Sequence, residues 1–139
     1  MTRGARFADL TPDRAARAIR VALVSMGSVA TGTGVAVAVR GTAAIPGGAR
    51  TVASNDSVLR FYAVWWAAQG PAMWRLAQDP GLDETGLQRV CTTTFVGGLA
   101  RLASMSANGR PHPLFQALTI MELLVPPALL VLRRRAREA

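Results

Sequence analysis

From Val21 to Val39 the chain reads VALVSMGSVATGTGVAVAV, nineteen residues without a charge. A helix rises 1.5 Å per residue, so this run spans about 28 Å, close to the roughly 30 Å hydrocarbon core of a bilayer. It predicts a transmembrane helix. A cleaved signal peptide is the competing reading, because Ala36-Val37-Ala38 resembles a cleavage site. The apolar region of such a peptide is about 7–15 residues long, shorter than this run, and here more apolar segments follow. The expectation is a retained first helix at about 18–39.

The opposite end of the chain repeats the pattern. Pro113 to Leu132 is twenty residues with one charge, Glu122, and it ends against Arg133-Arg134-Arg135. Between these two runs lie a second helix at about 56–75, charge-free only from Phe61 to Trp74, and a third at about 87–107, interrupted by Arg101. Pro46-Gly47-Gly48, Asp79-Pro80-Gly81 and Asn108-Gly109-Arg110-Pro111 supply the turn signals between them. The expected fold class is all-α, an integral membrane four-helix bundle with helices at about 18–39, 56–75, 87–107 and 113–132. Residues 1–17 form a cytoplasmic N-terminal tail, 18–132 the transmembrane domain, and 133–139 a basic cytoplasmic C-terminal tail.

Composition agrees with this layout. Half of the 139 residues are hydrophobic and only 17% are charged, against about a quarter in ordinary soluble domains. A soluble bundle needs a polar face on every helix, and this chain lacks the charges to supply one. The net charge of +8 raises nucleic acid as a partner, so the position of the arginines decides. With both termini inside, eleven of the sixteen fall on the cytoplasmic side: those from Arg3 to Arg20, Arg75, Arg89, and those from Arg133 to Arg137. Arg40, Arg50 and Arg110 fall outside, and Arg60 and Arg101 lie within helices. This asymmetry is the positive-inside pattern. It places both termini of a multi-pass membrane protein on the cytoplasmic side and accounts for the basicity without nucleic acid, which calls for a basic stripe with stacking aromatics.

Catalytic signatures are absent from the sequence. Cys91 and His112 are the only residues of their kinds, so no disulfide within the chain and no metal-ligand spacing can be written. There is no phosphate loop, nucleophile elbow or HExxH pattern. No cofactor or metal is expected and no catalytic residue is assigned. Cys91 reads as inert filler, His112 as a surface residue, and Trp65 and Trp66 as lipid- or core-facing bulk.

The charges inside the helices carry the functional interest. Counted from the outer ends of their helices, Arg60 lies about 6–8 Å deep, Arg101 about 9 Å and Glu122 about 13 Å. A charge at the bilayer centre costs about 2.5–3.5 kcal/mol on insertion scales, so such residues face the bundle and pair. Asp56, Arg60, Arg101 and Glu122 balance to zero and are expected to form one polar cluster. Thr94, Gly97, Arg101, Ser104 and Asn108 share a polar, small-residue face of the third helix, with Gly97 admitting a close neighbour. Gln116, Thr119 and Glu122 share a face of the fourth. Pro126 and Pro127 deprive the carbonyls of Glu122 and Leu123 of partners, and Pro71 does the same to Ala67, which predicts a kink near Glu122. The plainer reading is that such pairs only fix helix register and that Arg60 snorkels unaided.

Asn55-Asp56-Ser57-Val58-Leu59-Arg60-Phe61-Tyr62 and Gly97-Gly98-Leu99-Ala100-Arg101-Leu102-Ala103-Ser104 occur with Gly109-Arg110-Pro111-His112-Pro113 and Glu122 nine residues later. In order and spacing these segments resemble the DUF4345 family of bacterial membrane proteins, over roughly Ala16 to Arg133. The resemblance implies a four-helix inner-membrane protein whose polar positions map onto Asp56, Arg60, Arg101, Ser104 and Glu122, and it carries no activity. Gln69-Gly70-Pro71 departs from it, where a more apolar second helix is expected. The functional expectation is binding of an anionic lipid headgroup or small polar ligand at the Arg/Glu cluster. The alternatives are an accessory subunit whose ion pairs fix the bundle, and a membrane enzyme with Glu122 as acid or base. The expected partners are the lipid bilayer, a small anionic ligand or lipid, and a homo-oligomer or membrane protein.

Overall fold

The computed structural model describes residues 12–78 and 83–138. The first eleven residues, with Arg3 and Arg6, and the Asp79-Pro80-Gly81 turn lie outside them. The described residues form four helices: α1 (Pro12–Arg40), α2 (Ala53–Gln78), α3 (Glu84–Asn108) and α4 (Pro113–Glu138). There is no strand among them.

The helices start and stop where local chemistry dictates. Pro12 opens α1, where its missing N–H is no loss. Gly41 follows α1 with φ 57°, the left-handed conformation that lets a chain leave a helix, and a short 3₁₀ turn continues to Ala44. Pro46-Gly47 then forms the centre of a turn closed by Gly48 N–H donating to the Ile45 carbonyl at 2.9 Å. Gly47 supplies the positive φ at its third position. Asp83 caps α3 by accepting from Gly86 N–H at 2.7 Å. Gly109 closes α3, its N–H donating to the Met105 carbonyl at 3.0 Å.

Both outer helices run past their expected bounds. α1 begins at Pro12, inside the expected tail, and α4 continues through Arg133-Arg134-Arg135 to Glu138. Arg, Ala and Glu favour helix, and arginines in the last turn complement the helix dipole. An ion pair from Arg137 to Glu84 also ties the end of α4 to the start of α3. α4 remains one helix across Pro126 and Pro127.

Packing is uneven. α1 lies along α2 and α3 along α4, the two hairpins join through α1 and α4, and α2 and α3 scarcely meet. At α1–α2 the seam is made of small residues. A Cβ on Gly34 would fall 2.6 Å from Ala67 N and 2.7 Å from the Ala63 carbonyl oxygen, so the two backbones are in contact. Gly70, in the segment that departs from the family pattern, faces Thr31 and the Gly27 carbonyl in the same seam. Thr31 Oγ1 donates to the Ala67 carbonyl at 3.3 Å, answering the acceptor that Pro71 leaves open.

The core sits toward the chain termini, where Ile19, Leu23, Leu76, Leu87, Cys91 and Leu129 form one buried cluster. Elsewhere the large apolar side chains point outward: Val24 and Val35 on α1, Phe61 and Trp65 on α2, Val96 and Leu99 on α3, Ile120 and Leu124 on α4. Two segments, Pro12–Ala44 and Pro113–Arg137, are long and apolar enough to cross a membrane.

Candidate functional site

The charged residues lie toward the end of the bundle that carries the α1–α2 and α3–α4 loops, and they form two ion pairs. In the first, Arg60 Nε donates to Asp56 Oδ2 at 2.6 Å, one turn back on α2. Its Nη1 donates to the carbonyls of Ala38 at 3.0 Å and Val39 at 2.7 Å. These belong to the last turn of α1, whose carbonyls have no partner within the helix. Arg60 is therefore the cap of α1, held in position by Asp56. The fit is close: a Cβ on Gly41 would collide with Asp56 Oδ1 and the Arg60 guanidinium.

The second pair joins α3 to α4. Arg101 Nε donates to Glu122 Oε2 at 2.8 Å, with the glutamate side chain 13% exposed and the arginine side chain 37%. The Phe115 ring lies 5.7 Å from the guanidinium carbon, in cation–π range. α3 comes near enough to α4 for this because Gly98 has no side chain. A Cβ there would meet Leu123 Cδ2 at 3.0 Å and Glu122 Cβ at 3.1 Å. The expected close-approach glycine was Gly97, but a Cβ on Gly97 would meet nothing within 4 Å.

That one-residue difference has a geometric cause. The inward stripe of α3 follows Leu87, Cys91, Thr94, Gly98, Arg101 and Met105, which are buried or half-buried. Gly97 and Ser104 stand one position aside and are exposed. Ser104 therefore does not join the pair; its carbonyl accepts from Asn108 Nδ2 at 3.2 Å. On α4, Thr119 is buried and bonds back to the Phe115 carbonyl, and Gln116 donates to the Pro111 carbonyl. Among the described residues no hydrogen bond or ion pair links Asp56–Arg60 to Arg101–Glu122. The structure brings the four residues together two by two.

Arg101 and Glu122 border two cavities. One, of about 440 Å³, extends toward the loops and is lined mainly by apolar groups, among them Val29, Leu59, Tyr62, Leu114 and Leu118. The other, of about 340 Å³, lies between α2 and α3 against Thr93, Thr94 and Gly97. Trp66 lines both, its Nε1 donating to Thr33 Oγ1 of α1 at 3.0 Å. Sequence reasoning read Trp66, with Trp65, as lipid- or core-facing bulk and passed over Phe115. A tryptophan one residue after another on an apolar helix carries no signal of which one turns inward. Among the described residues no three His, Cys, Asp or Glu side chains gather closely enough to hold a metal.

Fold and site together define an all-α protein of four helices, with apolar side chains outward and an Arg–Glu pair bordering cavities between its hairpins. The family model described as a domain of unknown function, DUF4345, matches residues 18–133, and the chain belongs to that family. No curated protein and no solved structure matches it.

Proposed function

We propose that this chain is a four-span integral protein of the bacterial inner membrane that binds a small amphiphilic molecule by an anionic or strongly accepting end. Its termini lie on the cytoplasmic side. The outward-facing apolar surface on all four helices supports the membrane reading, since soluble monomers rarely expose contiguous apolar area beyond a few hundred Å². At 26 and 25 residues, α2 and α3 are long enough to cross although their charges lower their hydropathy. The pairing of those charges supports their insertion.

The state of Arg101 carries the binding reading. Glu122 engages only its Nε, and both terminal nitrogens lack a hydrogen-bond partner among the described residues while the side chain lines both cavities. A guanidinium fixed along one edge offers its remaining N–H donors to a carboxylate- or phosphate-type oxygen in a planar fork. The 440 Å³ cavity beside it has the size of a small-molecule site, and its apolar lining suits the body of such a ligand. Arg60 takes no part, being occupied by α1.

Native mass spectrometry of the protein in mild detergent, wild type beside Arg101→Gln, tests this reading. An adduct of defined mass on the wild type alone supports it and reports the ligand's class. The second reading is a structural lock of α3 on α4, favoured by the direct Nε–carboxylate contact and the Phe115 ring. It expects no adduct on either protein and a clearly less heat-stable variant.

A further inference from the structure

A third cavity lies away from Arg101. It measures about 690 Å³ and opens between α2 and α3 toward the terminal end of the bundle, lined by Gln69, Ala72, Arg75, Arg89, Val90 and Thr93 among others. Arg75 comes from the last turn of α2 and Arg89 from the second turn of α3. Both are exposed, and neither guanidinium has a hydrogen-bond or ion-pair partner among the described residues. Asp83 also lines this cavity, one of its carboxylate oxygens accepting from Gly86 N–H. Two guanidinium groups without a partner among the described residues therefore flank the opening beside one carboxylate.

Behind the two guanidinium groups the cavity is walled by Ala72 and Leu76 of α2 and Val90 of α3. From Arg89 to Thr93 it follows α3 for four residues, about 6 Å. A charged mouth beside an apolar wall matches a molecule with a phosphate at one end and a hydrocarbon chain at the other.

We infer that Arg75 and Arg89 form a phosphate site on the cytoplasmic side for an anionic phospholipid, one of whose acyl chains lies in the α2–α3 cavity. This rests on the membrane reading above and is independent of the ligand at Arg101. Phosphatidylcholine cancels its phosphate charge with its own ammonium group, whereas phosphatidylglycerol keeps a net negative charge. The two guanidinium groups therefore give a preference for phosphatidylglycerol of about fivefold, the attraction of one arginine to anionic lipid. A free phosphate ion would use the same guanidinium chemistry but leave the apolar wall bare.

The test measures binding of phosphatidylglycerol and of phosphatidylcholine to the full chain in mild detergent by native mass spectrometry. Alongside run Arg75→Gln/Arg89→Gln and the charge-keeping Arg75→Lys/Arg89→Lys. The expected result is preference for phosphatidylglycerol in the wild type, partial preference in the Lys variant, and none in the Gln variant. Equal binding of both lipids by the wild type overturns the inference without any variant having to fold. Preference that survives Arg75→Gln/Arg89→Gln overturns it as well, as does displacement of the lipid by inorganic phosphate at equal concentration, which would mark a free-anion site. Extraction of the protein from membranes by alkaline carbonate would instead remove the membrane reading, and that assay is separate from lipid preference.

Discussion

Replacing Glu122 by Gln removes the carboxylate from Arg101 while keeping the shape of the side chain. The guanidinium is then left with no counter-charge, since Asp56 is engaged with Arg60. An unpaired arginine at the bilayer centre costs about 2.5–3.5 kcal/mol on insertion scales. Arg101 is off-centre and 37% exposed, so the loss expected for Glu122→Gln is about 2 kcal/mol, a fall of roughly 6–10 °C in Tm for a domain of this size. Arg101→Gln leaves Glu122 unpaired and loses a similar amount. The double variant has neither charge and recovers about half of one single loss, so it loses about 1 kcal/mol and the coupling is about 3 kcal/mol. Thermal unfolding in detergent, followed by helical circular dichroism, gives the four values of this cycle. If the two single losses simply add in the double variant, within about 0.5 kcal/mol, the pair does not hold α3 to α4 and the reasoning is refuted.

Three other outcomes follow from particular contacts. Arg60→Gln uncaps α1 at Ala38 and Val39 and costs about 1–2 kcal/mol in the same unfolding assay. It leaves any adduct at Arg101 in place, and loss of that adduct would mean that Arg60 touches the ligand. Thr31→Val strips the Ala67 carbonyl of its donor and costs about 0.6 kcal/mol, at most about 1.7; no change in Tm would show that another group answers the carbonyl. Ser104→Ala is neutral within about 0.5 kcal/mol, since Ser104 is exposed, and a larger fall would return it to the polar site.

How much of this was legible in the sequence depended on the kind of signal. Long charge-free runs and Pro-Gly turns place the four helices, and their bounds next to the three loops to within about three residues, because both act through local backbone chemistry. The ends were less legible. Nothing in Arg133-Arg134-Arg135 separates a polar helical turn from a tail until Arg137 is seen to reach Glu84. Charge cost found Asp56, Arg60, Arg101 and Glu122, because an isolated charge among apolar residues is conspicuous whatever the fold. It did not reveal the partition into two pairs. That depends on the α1–α2 seam bringing Arg60 to the end of α1 and on Gly98 bringing Glu122 to Arg101. A shift of one residue in helical phase separates Gly97 from Gly98, and single-helix periodicity does not resolve it when small residues occupy both positions. The carbonyl opened by Pro71 was visible in the sequence, but its donor Thr31, 36 residues earlier, was not.

Because Cys91 is the only cysteine and is buried, the wild type gives a quiet background for labelling from either side of a membrane. Single cysteines at Thr51 and Asn108, near one end of the bundle, and at Thr85 and Arg134, near the other, occupy exposed positions. Treating intact cells with an impermeant maleimide is the most direct test of the four-span arrangement on which both binding proposals stand. It should label Thr51→Cys and Asn108→Cys at once, and Thr85→Cys and Arg134→Cys only after lysis. Labelling of all four from outside, or none of the four until lysis, would contradict it.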